Sequence, residues 1–590
     1  MAGCRIQGER DFNVEESTST PAFKIGLSLA GAVSAGAYTA GVLDFLIEAL
    51  DCWTVAQTRG DAVPTHRVSL EAVAGASAGS LCAALLAIVL PYRFPHVRVA
   101  ASGALQMQEG ASAPDNPLYH GWVEAIDIRQ LLSTSDLARG EFDSLLNCEA
   151  IDACVQHFLR YSGERQTRPY VARPFVARMA LGNLRGVPYR IDFRGNKTIN
   201  DEAMIEHSDH QSFLVGGDPA CTVPAYLSTH ARLAAESHTD LARWQALGDA
   251  AVASGAFPLF LKPRLITREV ADYGWRHFVD SGVPGVALTA IPPAWKNPQA
   301  PPSPYAFACI DAGMYNNEPF ELAHEVIAGG PGKSVPHAAE AADGAVLMIA
   351  PFVSTPHDGA EPVTKIDPQT QRPRLHLPPL QQLMPLFWSL IMQSRFKPLD
   401  LAMAYDESVY SRFVIAPTLS KAPEASSEWI AGGALQGFLG FFCEDFRKHD
   451  FQLGRRNCQQ FLREHFTLPA DNPIVRAGYA ALDDSSLARF RNEAGQLPII
   501  PLIDRVAIDE ELMAWPAGRF ATQPLMPAIQ KRLDAIFQLH RKQALAAVKP
   551  WLQRTVLGMA MSLSWAMLGR PLLKKHIAAT IEKALHAQAL

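Results

Sequence analysis

A chain of 590 residues is too long for one compact core, so two or three modules are expected. Hydrophobic residues make up 48% and charged residues 19%, an ordinary folded composition, and a formal net charge of −6 excludes a generally basic nucleic-acid binder. Nine cysteines lie scattered without a C-x-x-C pair or a Cys/His cluster, which suggests reduced core residues rather than a disulfide framework or a zinc site.

Residues 1–21 form a polar tail rich in Glu, Ser and Thr, without the apolar stretch of a secretory leader. Phe23–Leu29 reads as a strand, Ala30–Ala37 as a loop of small residues, and Tyr38–Leu50 as an apolar helix. Amides of such a loop can approach a phosphate or an oxyanion closely, although close packing of helix on strand would also select small residues. A dinucleotide fingerprint would want a glycine where Val33 stands.

The next unit repeats the pattern. Leu70–Ala74 reads as a short buried strand and Ser80–Leu90 as a buried helix closed by Pro91. Between them lies Gly75-x-Ser77-x-Gly79. A serine on a tight strand-to-helix turn sits high on a sheet, and small residues two before and two after let the backbone fold back. The amides that follow open a helix N-terminus, where partial positive charge stabilises a developing oxyanion. Ser77 is therefore the candidate nucleophile; a tight packing turn is the plainer alternative.

An insertion at about Phe94–Tyr161, with Tyr119, His120 and Trp122 after Pro117, is placed to act as a lid or acyl wall. Tyr305–Ile310 then reads as a strand ending in Asp311, followed by Ala312-Gly313 and a helix start capped by Asn317. A carboxylate at a strand's C-terminal end faces the crevice where α/β sheets bind ligands. Bonded to Ser77, Asp311 would take its proton directly; starting a turn is the other common use of an aspartate there.

Together these pieces resemble the patatin-like phospholipase family over about residues 22–352. Gly31–Gly36 is similar to its glycine-rich oxyanion loop, Gly75–Gly79 to its G-x-S-x-G elbow, and Asp311-Ala312-Gly313 to its D-G/A-G segment. Ala253-Ser254-Gly255-Ala256-Phe257-Pro258 and Asn316-Asn317-Glu318-Pro319 resemble two shorter family segments. The resemblance implies a three-layer α/β/α sandwich and a Ser77–Asp311 dyad acting on lipid acyl esters through an acyl-enzyme. It places the oxyanion on the Ala78 amide and those of Gly31, Ala32 and Val33, in a loop closed by Gly36, and it implies no metal or organic cofactor. The family's loop usually reads G-G-G-x-R/K-G; Ala32 and Val33 replace two glycines here and Ala35 the basic residue. Amides survive such changes, whereas a glycine-only φ would not. Two other readings stay open: an α/β-hydrolase triad using one of His324, His337, His357, His376 or His449, and a catalytically weak lipid-binding scaffold.

Residues 353–500 read as a linker and helical middle region, with a proline-rich stretch Thr355–Pro379 and apolar helices around Leu383–Met392 and Leu435–Phe446. The polar segment Arg447–Phe461 resembles one in a bacterial subgroup of patatin-like proteins; Arg455 and Arg456 there suit a phosphate headgroup, a carboxylate, or structural ion pairs. Residues 501–590 read as a basic amphipathic helical region, with ten Lys/Arg against two acids over 528–590. No uncharged run reaches the roughly 18–20 residues of a spanning helix. Thr555–Gly569, between Arg554 and Arg570, suits an interfacial helix, with Met561, Trp565 and Leu568 at helical spacing; a packed helix is the alternative. The expectation is a cytoplasmic acyl hydrolase, peripheral to an anionic membrane through residues 528–590.

Overall fold

The computed structural model describes residues 22–590 except 108–109, 192–201, 219–221, 235–238, 280–288, 298, most of 353–407, 419–428 and 547–550. The tail 1–21, most of the proline-rich linker and most of the expected helix Leu383–Met392 lie outside the described residues.

Three of the nine strands of the sheet form at the expected apolar runs, Phe23–Leu29, Leu70–Ala74 and Tyr305–Ile310. Ala22–Leu29 (β1) leads through a short loop into helix α1, Gly36–Arg59, and Arg67–Gly75 (β2) leads through the elbow into α2, Ala78–Val89. Val171–Ile191 (β3), Glu202–Val215 (β4) and Ala231–Leu233 (β5) follow, then helix α3, Leu241–Ser254. Arg264–Arg268 (β6), Tyr305–Ile310 (β7), helix α4 at Phe320–Ile327, Gly344–Ile349 (β8) and Arg412–Ile415 (β9) complete a nine-stranded sheet. Its order is β9-β8-β1-β2-β3-β7-β6, with β4 and β5 branching from β3. The first five strands of that order are parallel; β4 and β7 run antiparallel to β3, β6 runs antiparallel to β7, and β5 runs parallel to β4. This is a mixed α/β fold with a mostly parallel central sheet. Alternation along β1 assigns the faces: Ile25 and Leu27 join the cluster of α1 and α2, while Gly26 faces Ala323 and Ile327 of α4.

The long strand β3 serves as a ruler. β2 runs parallel to it and ends with Gly75 opposite Met179; β7 runs antiparallel and ends with Ile310 opposite Gly182. β4 holds the other edge of β3 along this stretch, so β2 and β7 share one edge and point their C-terminal ends at each other. Asn317 does not cap α4, whose N-cap position is Pro319; the Asn317 carbonyl instead accepts the Gly31 N–H at 3.1 Å.

The expected module boundary at 352/353 is not a boundary of the core. Helix α5, Glu444–Glu464, lies against α1 so closely that a Cβ on Gly41 would stand 1.9 Å from Phe451 O, and one on Gly454 would stand 2.1 Å from Tyr38 O. One apolar cluster accordingly runs from Phe23 to Met513. Beside that contact Arg455 is wholly buried and engages Asp44, Glu48 and Glu510, with the last two at 2.5 and 2.8 Å. Arg98 reaches Glu48 and Glu510 at 3.0 and 2.9 Å, and Arg505 reaches Glu48 at 2.7 Å. Arg455 is thus a structural ion-pair residue, closed off from any external headgroup. The expected helix at Leu435–Phe446 is also absent. Leu435, Gln436 and Gly437 carry φ of 53°, 59° and 87°, a 3-10 turn covers Leu439–Phe442, and helix starts only at Glu444. Met526–Ala546 (α6), Trp551–Ser564 (α7) and Arg570–Ala587 (α8) end the chain.

Burial opposes ionisation of Glu48, but Arg455, His96 and Arg98 together outweigh it and hold its carboxyl below the usual range. Glu510 is depressed in the same way, with Arg455 and Arg98 outweighing its burial. Folded pKa values below the unfolded ones mean that this stabilisation is present above about pH 4.3 and lost as pH falls further. Arg455→Met leaves buried carboxylates short of a cation and should cost about 3–5 kcal/mol in chemical denaturation at pH 7. A loss under about 1 kcal/mol would mean that water reaches the cluster.

Candidate active site

Local sequence and the ruler strand together bring Ser77 to Asp311. At the end of β2 a Cβ on Gly75 would stand 2.3 Å from Gly79 O, so this turn closes only around glycine. Ser77 itself carries φ 52° and ψ −123°, a conformation that non-glycine residues hold only when their surroundings impose it. Two bonds impose it here: the Ala76 N–H donates to Leu29 O at 3.1 Å and the Ser77 N–H to Ser254 Oγ at 2.9 Å. Ser254, at the end of α3, also lies 2.8 Å from Ser80 Oγ, whose hydroxyl donates to Gly75 O at 2.6 Å. Sequence reasoning passed over Ser254 as a site residue, although the Ala253–Pro258 segment that carries it had been singled out. The same segment fixes the partner strand, since the Asp311 N–H donates to Ala256 O at 2.9 Å.

The Ser77 hydroxyl donates to Asp311 Oδ2 at 2.6 Å, with both residues buried. Asp311 Oδ1 accepts the Gly313 N–H at 2.7 Å, which orients the carboxylate, while Ala312 packs in the small apolar cluster beneath α4. Burial pushes the Asp311 carboxyl up to about 6, against the hydrogen bonds from Ser77 and Gly313, which lower it. No histidine is bonded to Ser77 or Asp311 among the described residues.

The loop Gly31–Gly36 stands against this pair, and its amides divide into used and free. Gly31 gives its N–H to Asn317 O at 3.1 Å and Gly36 gives its own to the carbonyls of Ser34 and Val33, so neither is an available donor. That corrects the expectation for both: Gly31 is a close-packing residue, where a Cβ would stand 3.0 Å from Ser77 Cβ, and Gly36 packs against Trp122. The N–H groups of Ala32, Val33 and Ala78 are paired with no acceptor among the described residues. Val33 adopts φ 50°, the left-handed conformation that a glycine would take freely, at a cost of about 1–3 kcal/mol. The next residue holds it there. The Ser34 N–H donates to Gly437 O at 3.1 Å and the Ser34 hydroxyl donates to the same carbonyl. No local signal in the sequence announced this clamp, whose two ends lie 403 residues apart.

Ser77, Asp311, Ala78 and Val33 line a narrow cleft of about 60 Å³. Its other walls are mostly apolar, with Trp122 and Ile151 from the insertion, Phe257, and Phe438 and Phe441 from the segment after the clamp. Leu81, Trp122, Ile126 and Ile151 also line an adjoining apolar cavity of about 50 Å³ that continues to Leu85 and Phe158. Of the aromatic trio in the insertion, Trp122 reaches the cleft, Tyr119 is buried against Phe451, and His120 pairs with Glu124 at 2.8 Å. A wider cavity of about 820 Å³ lies elsewhere, between Arg463, Arg489, Arg491 and Asp509, and holds no nucleophile–base pair.

An uncharacterized protein of Sinorhizobium fredii (strain NBRC 101917 / NGR234), y4iI, is 33% identical over 559 residues, spanning 88% of this chain and 76% of the relative. The chain belongs to that protein's family. No protein-family profile matches the chain. The shared region takes in most of the sequence on both sides of the 352/353 point, as does the continuous core.

Because Asp311 has a folded pKa above its unfolded value of about 3.9, its contribution to stability is full below that value and lost as pH rises through about 6. Asp311→Asn keeps an acceptor for Gly313 and offers a donor to Ser77 without a charge. Thermal or chemical unfolding should therefore find it as stable as the parent at pH 4 and more stable at pH 8, by up to about 3 kcal/mol. Equal stability at both values would mean that Asp311 ionises normally.

Proposed function

We propose that the chain is a serine acyl hydrolase of the patatin-like type, cleaving acyl ester bonds of lipids through a Ser77–Asp311 dyad on a three-layer α/β/α sandwich. The observation that carries this reading is the direct 2.6 Å hydrogen bond from the Ser77 hydroxyl to Asp311 Oδ2 at a strained strand-to-helix turn. Asp311 takes the Ser77 proton as Oγ attacks the acyl carbonyl. The unpaired amides of Ala32, Val33 and Ala78 receive the oxyanion. As the tetrahedral species collapses, Asp311 returns the proton to the leaving alcohol and the acyl group stays on Ser77. Water then gives a proton to Asp311 and attacks the ester, and release of the carboxylic acid restores both residues. A base with a pKa near 6 suits this work, being ionised at neutral pH yet basic enough to accept a hydroxyl proton. The apolar cleft and the cavity behind it suit an acyl chain. The direct bond, with no histidine attached among the described residues, favours a dyad over a Ser-Asp-His triad; His357 and His376 lie outside those residues.

A fluorophosphonate should label the parent and not Ser77→Ala, and hydrolysis of a nitrophenyl acyl ester should fall by at least about a thousandfold in both Ser77→Ala and Asp311→Asn. The parent's kcat/KM should rise with pH through an inflection near 6, where Asp311 loses its proton. Replacing the histidines one at a time should leave turnover within about tenfold. Unchanged turnover in Ser77→Ala, or a loss of that size at one histidine, would sink the dyad.

A further inference from the structure

The C-terminal helices make a hairpin with one face bare. α7 and α8 are continuous through a π-helical turn at Trp565–Gly569 and run antiparallel to α6. The rungs are specific: the Trp565 and Phe537 rings stack 4.7 Å apart, the Trp565 N–H donates to Asp534 at 2.8 Å, and Arg570 bonds the same carboxylate at 2.9 and 2.6 Å. At the root of the hairpin Ile581 and Leu585 are buried with Met526, Ile529, Phe438 and Phe441, so the hairpin stands on the wall of the cleft. Beyond the root the outer face is open. Val556, Met559, Leu563 and Met567, at spacings of three and four, are 56%, 60%, 61% and 67% exposed, and Leu568 and Leu572 extend the patch. Trp565, expected to face outward with Met561 and Leu568, instead faces α6; of the three only Leu568 is exposed.

We infer that this face is a docking surface for an anionic lipid bilayer, lying in the interfacial plane with the hairpin intact. Charge selects the occupant. The chain carries −6 overall, yet residues 528–590 carry ten basic side chains against two acidic ones, a balance of +8. Exposed Lys531, Lys542, Arg554, Lys574 and Lys575 border the hairpin without a carboxylate partner among the described residues. Of the two acids, Asp534 is already engaged by Trp565 and Arg570, and Glu582 lies at the root end of α8. An apolar stripe edged by basic residues on an acidic protein matches an anionic headgroup layer over hydrocarbon. Geometry selects the orientation. Two helices among the described residues are long and apolar enough to cross a membrane: Val33–Arg59, with 94% of its apolar stretch buried in the core, and Gln553–Ala587, with 6% of its apolar stretch buried. Crossing by the second would draw Asp534–Arg570 into hydrocarbon or break the hairpin, whereas lying flat buries only the apolar face. From Val556 to Leu573 that face is about 27 Å long. Exposed Leu145 and Leu259 adjoin the root, where Arg532 of α6 bonds Leu145 O and the Leu145 N–H donates to Leu259 O at 2.8 Å.

The test uses the full chain and sedimentation with phosphatidylglycerol/phosphatidylcholine vesicles, beside vesicles of phosphatidylcholine alone. Binding should need phosphatidylglycerol and weaken by at least about tenfold between low and high salt. The double variant Met567→Glu/Leu568→Glu should lose at least about tenfold in binding with an unchanged melting temperature, because both side chains are already exposed. Lys574→Glu/Lys575→Glu should lose a similar amount at low salt and little at high salt. Ser77→Ala should bind as the parent does, which separates docking from hydrolysis. Absent binding to phosphatidylglycerol vesicles, equal binding to both lipids, or a parent dimer that the Met567→Glu/Leu568→Glu variant dissociates would overturn the inference; the last would make a second copy the occupant.

Discussion

The contact between α1 and α5 constrains everything around it. Two backbones meet where Gly41 and Gly454 leave no room for a Cβ, and the helices cannot separate without opening the Arg455 cluster to water. Since α1 begins at the last residue of the Gly31–Gly36 loop, fixing α5 on α1 also fixes what precedes α5. Asp450 of α5 accepts the N–H groups of Ala431 and Gly432 at 2.8 and 2.9 Å, and a few residues on the chain reaches Gly437 and Ser34. Phe438 and Phe441 then fall into the cleft and the hairpin root onto them. A helix–helix contact remote from the nucleophile thus decides the shape of the loop beside it.

This dependence gives the altered loop a physical account. A glycine at position 33 would reach positive φ without strain, whereas valine must be held there. The double acceptance at Gly437 O is such a hold, and it is supplied by a segment that is itself strained at Leu435 and Gln436. Strain near the nucleophile is balanced by burial and ion pairing further off, as in many sites whose geometry differs from what the local chain prefers.

The sequence reveals what is local and conceals what is not. β1, β2, the elbow and α2 were legible because strand, turn and helix follow one another within about twenty residues and each has its own pattern. Asp311 could be paired with Ser77 only through a family resemblance, because their meeting depends on β3, which no local motif marks as the shared edge. Helix α5 was hidden by its composition: Arg447, His449, Asp450, Gln452 and Arg455 belong to a polar stretch yet are buried, since each finds a partner inside. Trp565 was misplaced for the converse reason, because an apolar ring at helical spacing does not reveal that Asp534 waits on the neighbouring helix.

The ribosome makes α1, the elbow and α2 long before it makes α5 and Glu510. At about 5–20 residues per second, the interval between Ser77 and Glu510 is on the order of a minute. Through that interval α1, part of a helical stretch long and apolar enough to cross a membrane, lacks the helix that covers one side of it. Asp44 and Glu48, which later bind Arg455, lie on that uncovered side, as does the Tyr38 hydroxyl that later bonds Asn457. An ionised side chain is costly in lipid, so the two carboxylates that lock the finished core also oppose insertion of the helix before its cover is made.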